Sequence, residues 1–319
     1  IGSSYVYATG ATVSVEGNVG ASSGAATGGF GIFAGTVTGT SMLSAERGIF
    51  QEGAIGGTVT IRLTGESSKV ANSVLNMNGG TIRNEGTLTA AGSGDINLDS
   101  AAGGGAGTIV NNGTWRTNDA FTYSNVNGGG VFRNEGLFES MAGVSMIAGA
   151  FHSEAGSTFR AKSGYVRLGG GGIHQPGAIF DAVGGNIYLS AGNHQLLGGT
   201  FTGTHYVYAT GATVSVLGDV GASSGTATGG FGIFAGTVTG TSMLSAEHGI
   251  LQDGTISGTV KIRLTGASNK VTNSTLDMNG GTIRNEGTMT QPVSGDFNLD
   301  SNSSVGGGTL LNIGTWNQT

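Results

Sequence analysis

Short runs that alternate apolar and polar residues recur along the chain, and glycines separate them. "TIRNEGTL" from Thr81, "TIVNNGTW" from Thr108 and "VFRNEGLF" from Val131 are three examples. An alternation with period two over four to eight residues predicts half-buried β-strands, and the Gly and Asn positions predict tight turns between them. The pattern therefore predicts an all-β protein.

These runs share one register: a β-branched or aromatic pair, a variable residue, Asn, a second variable residue and Gly. "TIRNEGTM" from Thr282 and "TLLNIGTW" from Thr309 follow it, and runs without the Asn begin at 151, 173 and 200. The runs start about 20 to 31 residues apart, with a mean near 25. Strand-like segments at such a period predict a parallel β-solenoid with coils of about 25 residues and Gly/Asn turns, because each coil pairs with its neighbours at about 4.8 Å.

Stacked coils place equivalent residues in rows along the solenoid. The asparagines of the register are expected to form a hydrogen-bonded ladder, since an amide both donates and accepts; they are Asn84, Asn111, Asn134, Asn285 and Asn312. The glycines two positions later are expected to supply turns with positive φ; they are Gly86, Gly113, Gly136, Gly287 and Gly314. Alternation predicts inward rows formed by Ile82, Ile109, Phe132, Ile283 and Leu310, and by Leu88, Trp115 and Phe138.

A longer repeat, which contains several of these short runs, is also present in the sequence. Residues 2–118 align with 203–319 without a gap, and about seven positions in ten are identical. The sequence thus predicts one continuous solenoid over 1–319, with a first unit of eight coils at 1–201, a partial second copy at 202–319, and a place in a longer array. An ordinary β-sandwich is the rival fold, and it does not predict the Asn/Gly register. Leucine-rich repeats are excluded because their Leu pattern is missing.

Composition narrows the partners and the chemistry. Of 319 residues, 65 are Gly, 2 are Pro and none is Cys, so disulfides and thiolate metal sites are excluded. The net charge is −6 and the 13 basic residues are scattered, which makes nucleic acid an unsuitable partner. No run approaches the ~20 apolar residues of a membrane span.

The motif search predicts no catalytic, cofactor or metal residue and no enzyme activity. There is no nucleophile elbow, HExxH, Walker loop or calcium-binding nonapeptide. The acidic stretch at 93–100 contains Asp95 and Asp99, for which turn capping is favoured over catalysis. A carbohydrate-binding or carbohydrate-cleaving β-helix remains the alternative function.

Other polar positions carry smaller expectations. His152 and His174 are expected to stack as a solvated pair, and Arg83–Glu85 and Arg133–Glu135 are expected to pair. The tyrosines Tyr123, Tyr165, Tyr188, Tyr206 and Tyr208 are considered as a sugar-stacking surface. Threonines in "GTVTGT" at 35–40 and 236–241 raise ice binding as a further alternative. Against it, Lys261 replaces Thr60 in the second copy, and the motif is not expected on consecutive coils.

Across nearly the whole chain, the Gly/Asn/Thr-rich coil pattern resembles the repeats of large bacterial secreted surface proteins, namely filamentous-haemagglutinin-like exoproteins and autotransporter-type passengers. The resemblance implies a right-handed β-helix that serves as a non-enzymatic segment of a surface adhesin or extracellular filament. It implies an extracellular or cell-surface location, with no catalytic residues to carry over. The expected partners are further copies of the chain and, beyond them, surface glycans or host and neighbouring cells.

Overall fold

The computed structural model describes residues 5–98, 105–124, 129–225, 227–300 and 306–319. Within these ranges the chain forms strands and turns and no helix. The strands in chain order are β1 (Tyr5–Thr9), β2 (Thr12–Val15), β3 (Gly29–Phe33), β4 (Gly35–Gly39), β5 (Met42–Ala45), β6 (Arg47–Phe50), β7 (Gly53–Gly56), β8 (Thr60–Leu63), β9 (Glu66–Lys69), β10 (Val74–Asn78), β11 (Thr81–Asn84), β12 (Thr87–Ala90), β13 (Asp95–Asn97), β14 (Thr108–Asn111), β15 (Thr114–Thr117), β16 (Phe121–Ser124), β17 (Val131–Asn134), β18 (Leu137–Ser140), β19 (Val144–Ile147), β20 (Ala150–Ser153), β21 (Thr158–Ala161), β22 (Gly164–Leu168), β23 (Gly172–His174), β24 (Ile179–Asp181), β25 (Gly185–Leu189), β26 (Asn193–Leu196), β27 (Thr200–Thr202), β28 (Tyr206–Thr210), β29 (Thr213–Val216), β30 (Gly230–Phe234), β31 (Gly236–Gly240), β32 (Met243–Ala246), β33 (His248–Leu251), β34 (Gly254–Ser257), β35 (Lys261–Leu264), β36 (Ala267–Lys270), β37 (Thr275–Asn279), β38 (Thr282–Asn285), β39 (Thr288–Gln291), β40 (Asp296–Asn298), β41 (Thr309–Asn312) and β42 (Thr315–Gln318).

The chain divides into two compact units. Unit 1 holds residues 1–152 and 162–166, and unit 2 holds 153–161 and 167–319. This boundary does not coincide with the end of the first long repeat at 201. Each unit is a parallel β-solenoid, so the predicted fold class is confirmed, while its right-handed sense stays a prediction.

The first turn of unit 1 holds two strands, β1 and β2, and from β3 onward three strands make one turn; each strand pairs in parallel with the strand one turn later. The first sheet runs β1-β3-β6-β9-β12-β15-β18, the second β2-β4-β7-β10-β13-β16-β19, and the third β5-β8-β11-β14-β17. Parallel pairing of successive turns satisfies the backbone groups of both neighbours, and this is why short strands are sufficient.

Unit 2 repeats this construction. One sheet runs β25-β28-β30-β33-β36-β39-β42 and another β23-β26-β29-β31-β34-β37-β40. Two shorter sheets, β21-β24-β27 and β32-β35-β38-β41, complete it.

The turns are about 21 residues apart, shorter than the 25 expected from the Asn register. Gly29 pairs with Arg47 after only 18 residues, whereas Thr87 pairs with Thr114 after 27. The short turns through β3, β6 and β9 contain no Asn-x-Gly, so a prediction that counts turns by this motif misses them. A 201-residue repeat therefore holds between nine and ten turns, and not eight.

The core of unit 1 is a set of in-register apolar rows. Ile82, Ile109 and Phe132 stack on successive turns and are fully buried. The row Leu88, Trp115 and Phe138 is buried too, and Trp115 donates its indole N–H to the Tyr123 hydroxyl. In unit 2, Ile283 is buried, while Leu310, in the last described turn, is half-buried.

Candidate functional site

The five register asparagines form two ladders, one in each unit. Asn84 Nδ2 donates to Asn111 Oδ1 at 2.8 Å, and Asn111 Nδ2 donates to Asn134 Oδ1 at 2.8 Å. In unit 2, Asn285 Nδ2 donates to Asn312 Oδ1 at 2.7 Å. The first four are fully buried and Asn312 is exposed.

The ladder also serves the backbone. The Asn84 and Asn111 amides donate to the carbonyl oxygens of Thr114 and Leu137, at 2.9 and 3.0 Å. Asn84 Oδ1 is buried without a donor, because the preceding turn has Leu63 at this position. The ladder therefore holds corners of the solenoid together and leaves little capacity for a ligand.

The glycines two positions after each ladder Asn do not have positive φ, so that expectation is wrong. They are required for a different reason. A Cβ on Gly86, Gly113 or Gly136 would overlap the carbonyl oxygen of Gly65, Gly86 or Gly113 in the preceding turn, and Gly287 and Gly314 stand likewise against Gly266 and Gly287. Backbone approaches backbone at this corner, and only hydrogen fits between them.

The expected Arg83–Glu85 pair is present, with Arg83 Nε 2.7 Å from Glu85 Oε1. A second arginine, Arg62, reaches the same carboxylate at 2.5 Å and is almost fully buried. Arg62 also donates to the carbonyl oxygens of Ala21 and Gly24, in the loop between β2 and β3. The Arg62 hydrogen bond is the main reason that the pKa of Glu85 is lowered.

A groove lies beside this network in each unit. In unit 1 its volume is about 550 Å³ and in unit 2 about 460 Å³. The unit 2 network reproduces the first: Arg263 contacts Glu286 and the carbonyl oxygens of Ala222 and Gly225, and Arg284 Nε contacts Glu286 at 2.6 Å. The sequence register found the exposed arginine of each pair and missed the buried one, although Arg62 recurs as Arg263 in the shared run IRLTG.

A lysine lies inside each unit near the acidic stretch. Lys69 Nζ donates to Ser73 Oγ at 2.5 Å and to the carbonyl oxygens of Val70 and Ser73, and Lys270 makes the equivalent bonds to Ser274. Burial lowers the pKa of Lys69 to about 8, opposed by the charge of Asp95. Asp95 thus has a basic neighbour on an adjacent turn, which the sequence did not indicate, while Asp99 lies outside the described residues.

The expected solvated His152–His174 pair is wrong. Ser153, and not His152, stands in register with His174. Since neighbouring residues of a strand point to opposite faces, His152 lies on the other face of the sheet. His174 is fully buried and stacks on buried His194, with ring centroids 5.5 Å apart. His174 Nε2 and His194 Nδ1 are 3.2 Å apart, and burial lowers the pKa of His194 to about 4.

The structure corrects two expectations about the surface, one for the threonine rows and one for the tyrosines. Threonine and serine do recur on consecutive turns, because Thr213, Thr237 and Thr255 stand in register and Ser215 pairs with Thr239. Among the tyrosines, Tyr123 is fully buried and unavailable to a sugar, whereas Tyr188 and Tyr208 stack on the outside, with centroids 5.2 Å apart.

Within the described residues no group of three or more His, Asp or Glu side chains could hold a metal ion. A search of the same ranges finds no helix able to span a membrane. Comparisons with protein-family models, curated proteins and solved structures give no match to the chain.

Proposed function

We propose that this chain is a non-enzymatic structural segment of a secreted or cell-surface adhesin or filament, in which further copies stack end to end. One observation carries the proposal. The strand YVYAT occurs twice, as β1 and β28, and β28, at the start of the second copy of the repeat, pairs with β25 from the end of the first copy.

The pairing that buries the second YVYAT strand lies within unit 2. β25 pairs with β28, placing Ile187 on Val207, and β26 pairs with β29, placing His194 on Val214. Val207 and Val214 are then fully buried, whereas Val6, the equivalent of Val207, is 68% exposed in unit 1. The strands β1 and β2 have the same sequences as β28 and β29, which supports the proposal that another copy of 185–196 covers them.

The polar interior supports a structural role. Asn84 and Arg62 donate to backbone carbonyl oxygens of other turns, and Lys69 donates to a carbonyl oxygen of the loop after its own strand. A solenoid grows in length without a larger core because each turn contacts only its neighbours. The adhesin role and the extracellular location rest on the resemblance of the coil pattern.

An extended chain tests stacking directly. Residues 153–202 are fused ahead of Gly2, which recreates the natural Thr202–Gly203 junction. Hydrogen exchange is then followed at the amides of β1 and β2 in the original and extended chains. We expect strong protection of these amides in the extended chain, since β25 and β26 equivalents now bond to them.

The matched control carries Ile187→Asp in the added segment, which places a carboxylate against Val6. This control is expected to fold its remaining turns and to leave β1 exchanging rapidly. Equal exchange in the original and extended chains would contradict stacking.

Electron microscopy of the native protein, purified from its source without denaturant, separates a filament from an isolated rod. Fibres should show an axial repeat of ~45 Å or a multiple of it, because nine to ten turns rise ~4.8 Å each. Separate short rods would contradict the filament and leave a stalk.

The register of Thr213, Thr237 and Thr255 favours ice binding as a second candidate, since it sets hydroxyl and methyl groups in a row on one sheet. Dilute protein is expected to produce thermal hysteresis, and Thr237→Lys should remove it. A chain without hysteresis would end this candidate.

A further inference from the structure

The groove beside the Arg–Glu network is built twice with the same residues. The unit 1 groove is lined by Ser22, Ser23, Gly24, Met42, Thr60, Arg62, Arg83 and Glu85. Each of these positions lines the unit 2 groove 201 residues later, where Lys261 replaces Thr60. A cavity preserved through a repeat with many substitutions is a candidate binding site.

The network leaves hydrogen-bond donors facing the groove. Arg62 is occupied by Glu85 and two loop carbonyl oxygens, and Glu85 in turn accepts from both arginines. Arg83 uses only Nε in this network, and its side chain is 43% exposed. The described contacts therefore leave the two η nitrogens of Arg83 to bind a ligand, beside the exposed hydroxyls of Ser22 and Ser23.

The charge of the groove is positive although the chain carries −6. Two arginines face one carboxylate in unit 1. The exposed Lys261 adds a further positive charge in unit 2, where it has no ion pair among the described residues. Donors with a net positive charge select an oxyanion, and a guanidinium binds one through paired N–H groups.

From this geometry we propose that each groove binds an oxyanion group, carboxylate or sulfate, of an acidic polysaccharide. Met42 and Met243 at the groove provide an apolar surface for the sugar ring, next to the donors for its charged group. The negative charge of the remaining chain repels a dense polyphosphate and tolerates a polymer with spaced charges. The proposal is independent of stacking, because each groove lies within one unit.

Two grooves per chain give a stoichiometry that titration calorimetry can measure. The probes are a uronic-acid oligosaccharide, a sulfated dextran oligosaccharide, uncharged dextran of equal length and inorganic sulfate. We expect one or both acidic oligosaccharides to bind at two sites per chain, more tightly at the Lys261 groove, and to weaken as salt increases. Which acidic probe binds identifies the oxyanion.

Variants locate the binding. Arg83→Gln and Arg284→Gln should each remove one site, and the double variant should lose at least about tenfold in affinity. Lys261→Thr, which leaves the Arg–Glu network intact, should make the two sites equivalent. Arg133→Gln is the matched control, because Arg133 belongs to the same Arg-Asn-Glu motif and lies outside both grooves.

Three results would overturn the proposal. They are absence of binding by both acidic oligosaccharides, an equal loss on Arg133→Gln, and binding of inorganic sulfate as tight as that of the oligosaccharides. Circular dichroism of each variant establishes that it is folded, and Lys261→Thr remains informative if an arginine variant is not. Since the measurement uses single chains, a failure here leaves the stacking experiment unaffected.

Discussion

The two copies of the long repeat place the same strands in different surroundings. In unit 2, Val207 lies between β25 and β30 and is fully buried. In unit 1 its equivalent, Val6, has β3 on one side, and 68% of its surface is exposed. In a solenoid, therefore, the neighbouring turn decides whether a residue belongs to the core, and identical sequence does not.

The largest expected difference comes from a charge placed at this pair of positions. Val207→Asp buries an unpaired carboxylate between two turns and should cost ~3–5 kcal/mol in local unfolding free energy. Val6→Asp should change it by less than ~0.5 kcal/mol, because the side chain reaches solvent. Hydrogen exchange within each unit measures both, and similar costs would contradict the comparison.

The ladders give a second contrast between the copies. Asn111 accepts from Asn84 and donates to Asn134 and to the Leu137 carbonyl, so Asn111→Ala leaves several buried groups without partners. We expect a loss of ~2–3 kcal/mol in the local stability of unit 1. Asn312→Ala, in the exposed last turn, should cost less than ~1 kcal/mol. Denaturant titration compares them, and an equal loss would show that burial of the ladder is unimportant.

The ladder glycines extend the contrast to the backbone. Gly113→Ala places a methyl group against the carbonyl oxygen of Gly86 and should cost ~1–3 kcal/mol. Gly17, in the loop after β2, has open space around it and no positive φ. Gly17→Ala should be neutral or stabilise unit 1 by up to ~1 kcal/mol. Thermal unfolding of the two variants measures both changes in stability. A Gly113→Ala variant as stable as the original chain would contradict the close approach of the two backbones.

The sequence predicts those features that repeat at every corner and misses those that depend on contacts between distant turns. Asn84 and Asn111 can be recognised in the sequence because the ladder uses the same residue type, Asn, at the same position of successive turns. Arg62 cannot, because two of its three partners are loop carbonyl oxygens about 40 residues earlier, which no side-chain pattern records. The prediction for His174 is wrong for a related reason. The Asn register does not fix which residue of the preceding turn pairs with His174.

The smallest expected effect concerns a part of unit 2 outside the duplicated segment. His194 Nε2 donates to the Ala191 carbonyl, and neutral rings let His174 Nε2–H donate to His194 Nδ1 and Ser153 donate to His174 Nδ1. A proton added to His194 Nδ1 would face the His174 N–H, in addition to the cost of burying the charge. Because the pKa of His194 falls to about 4, the unfolded chain binds more protons between pH 6.5 and 4, and stability decreases as the pH falls.

From pH 6.5 to 5.5 this loss is ~1 kcal/mol. His194→Gln keeps one donor for Ala191 and one acceptor for His174 without a titrating group, so it should flatten the pH dependence of unit 2. His205→Gln removes a histidine outside the interior and serves as the control. Denaturant unfolding at both pH values is the measurement. A pH dependence that survives His194→Gln would place the acid-sensitive group elsewhere and leave the buried histidine pair with a packing role alone.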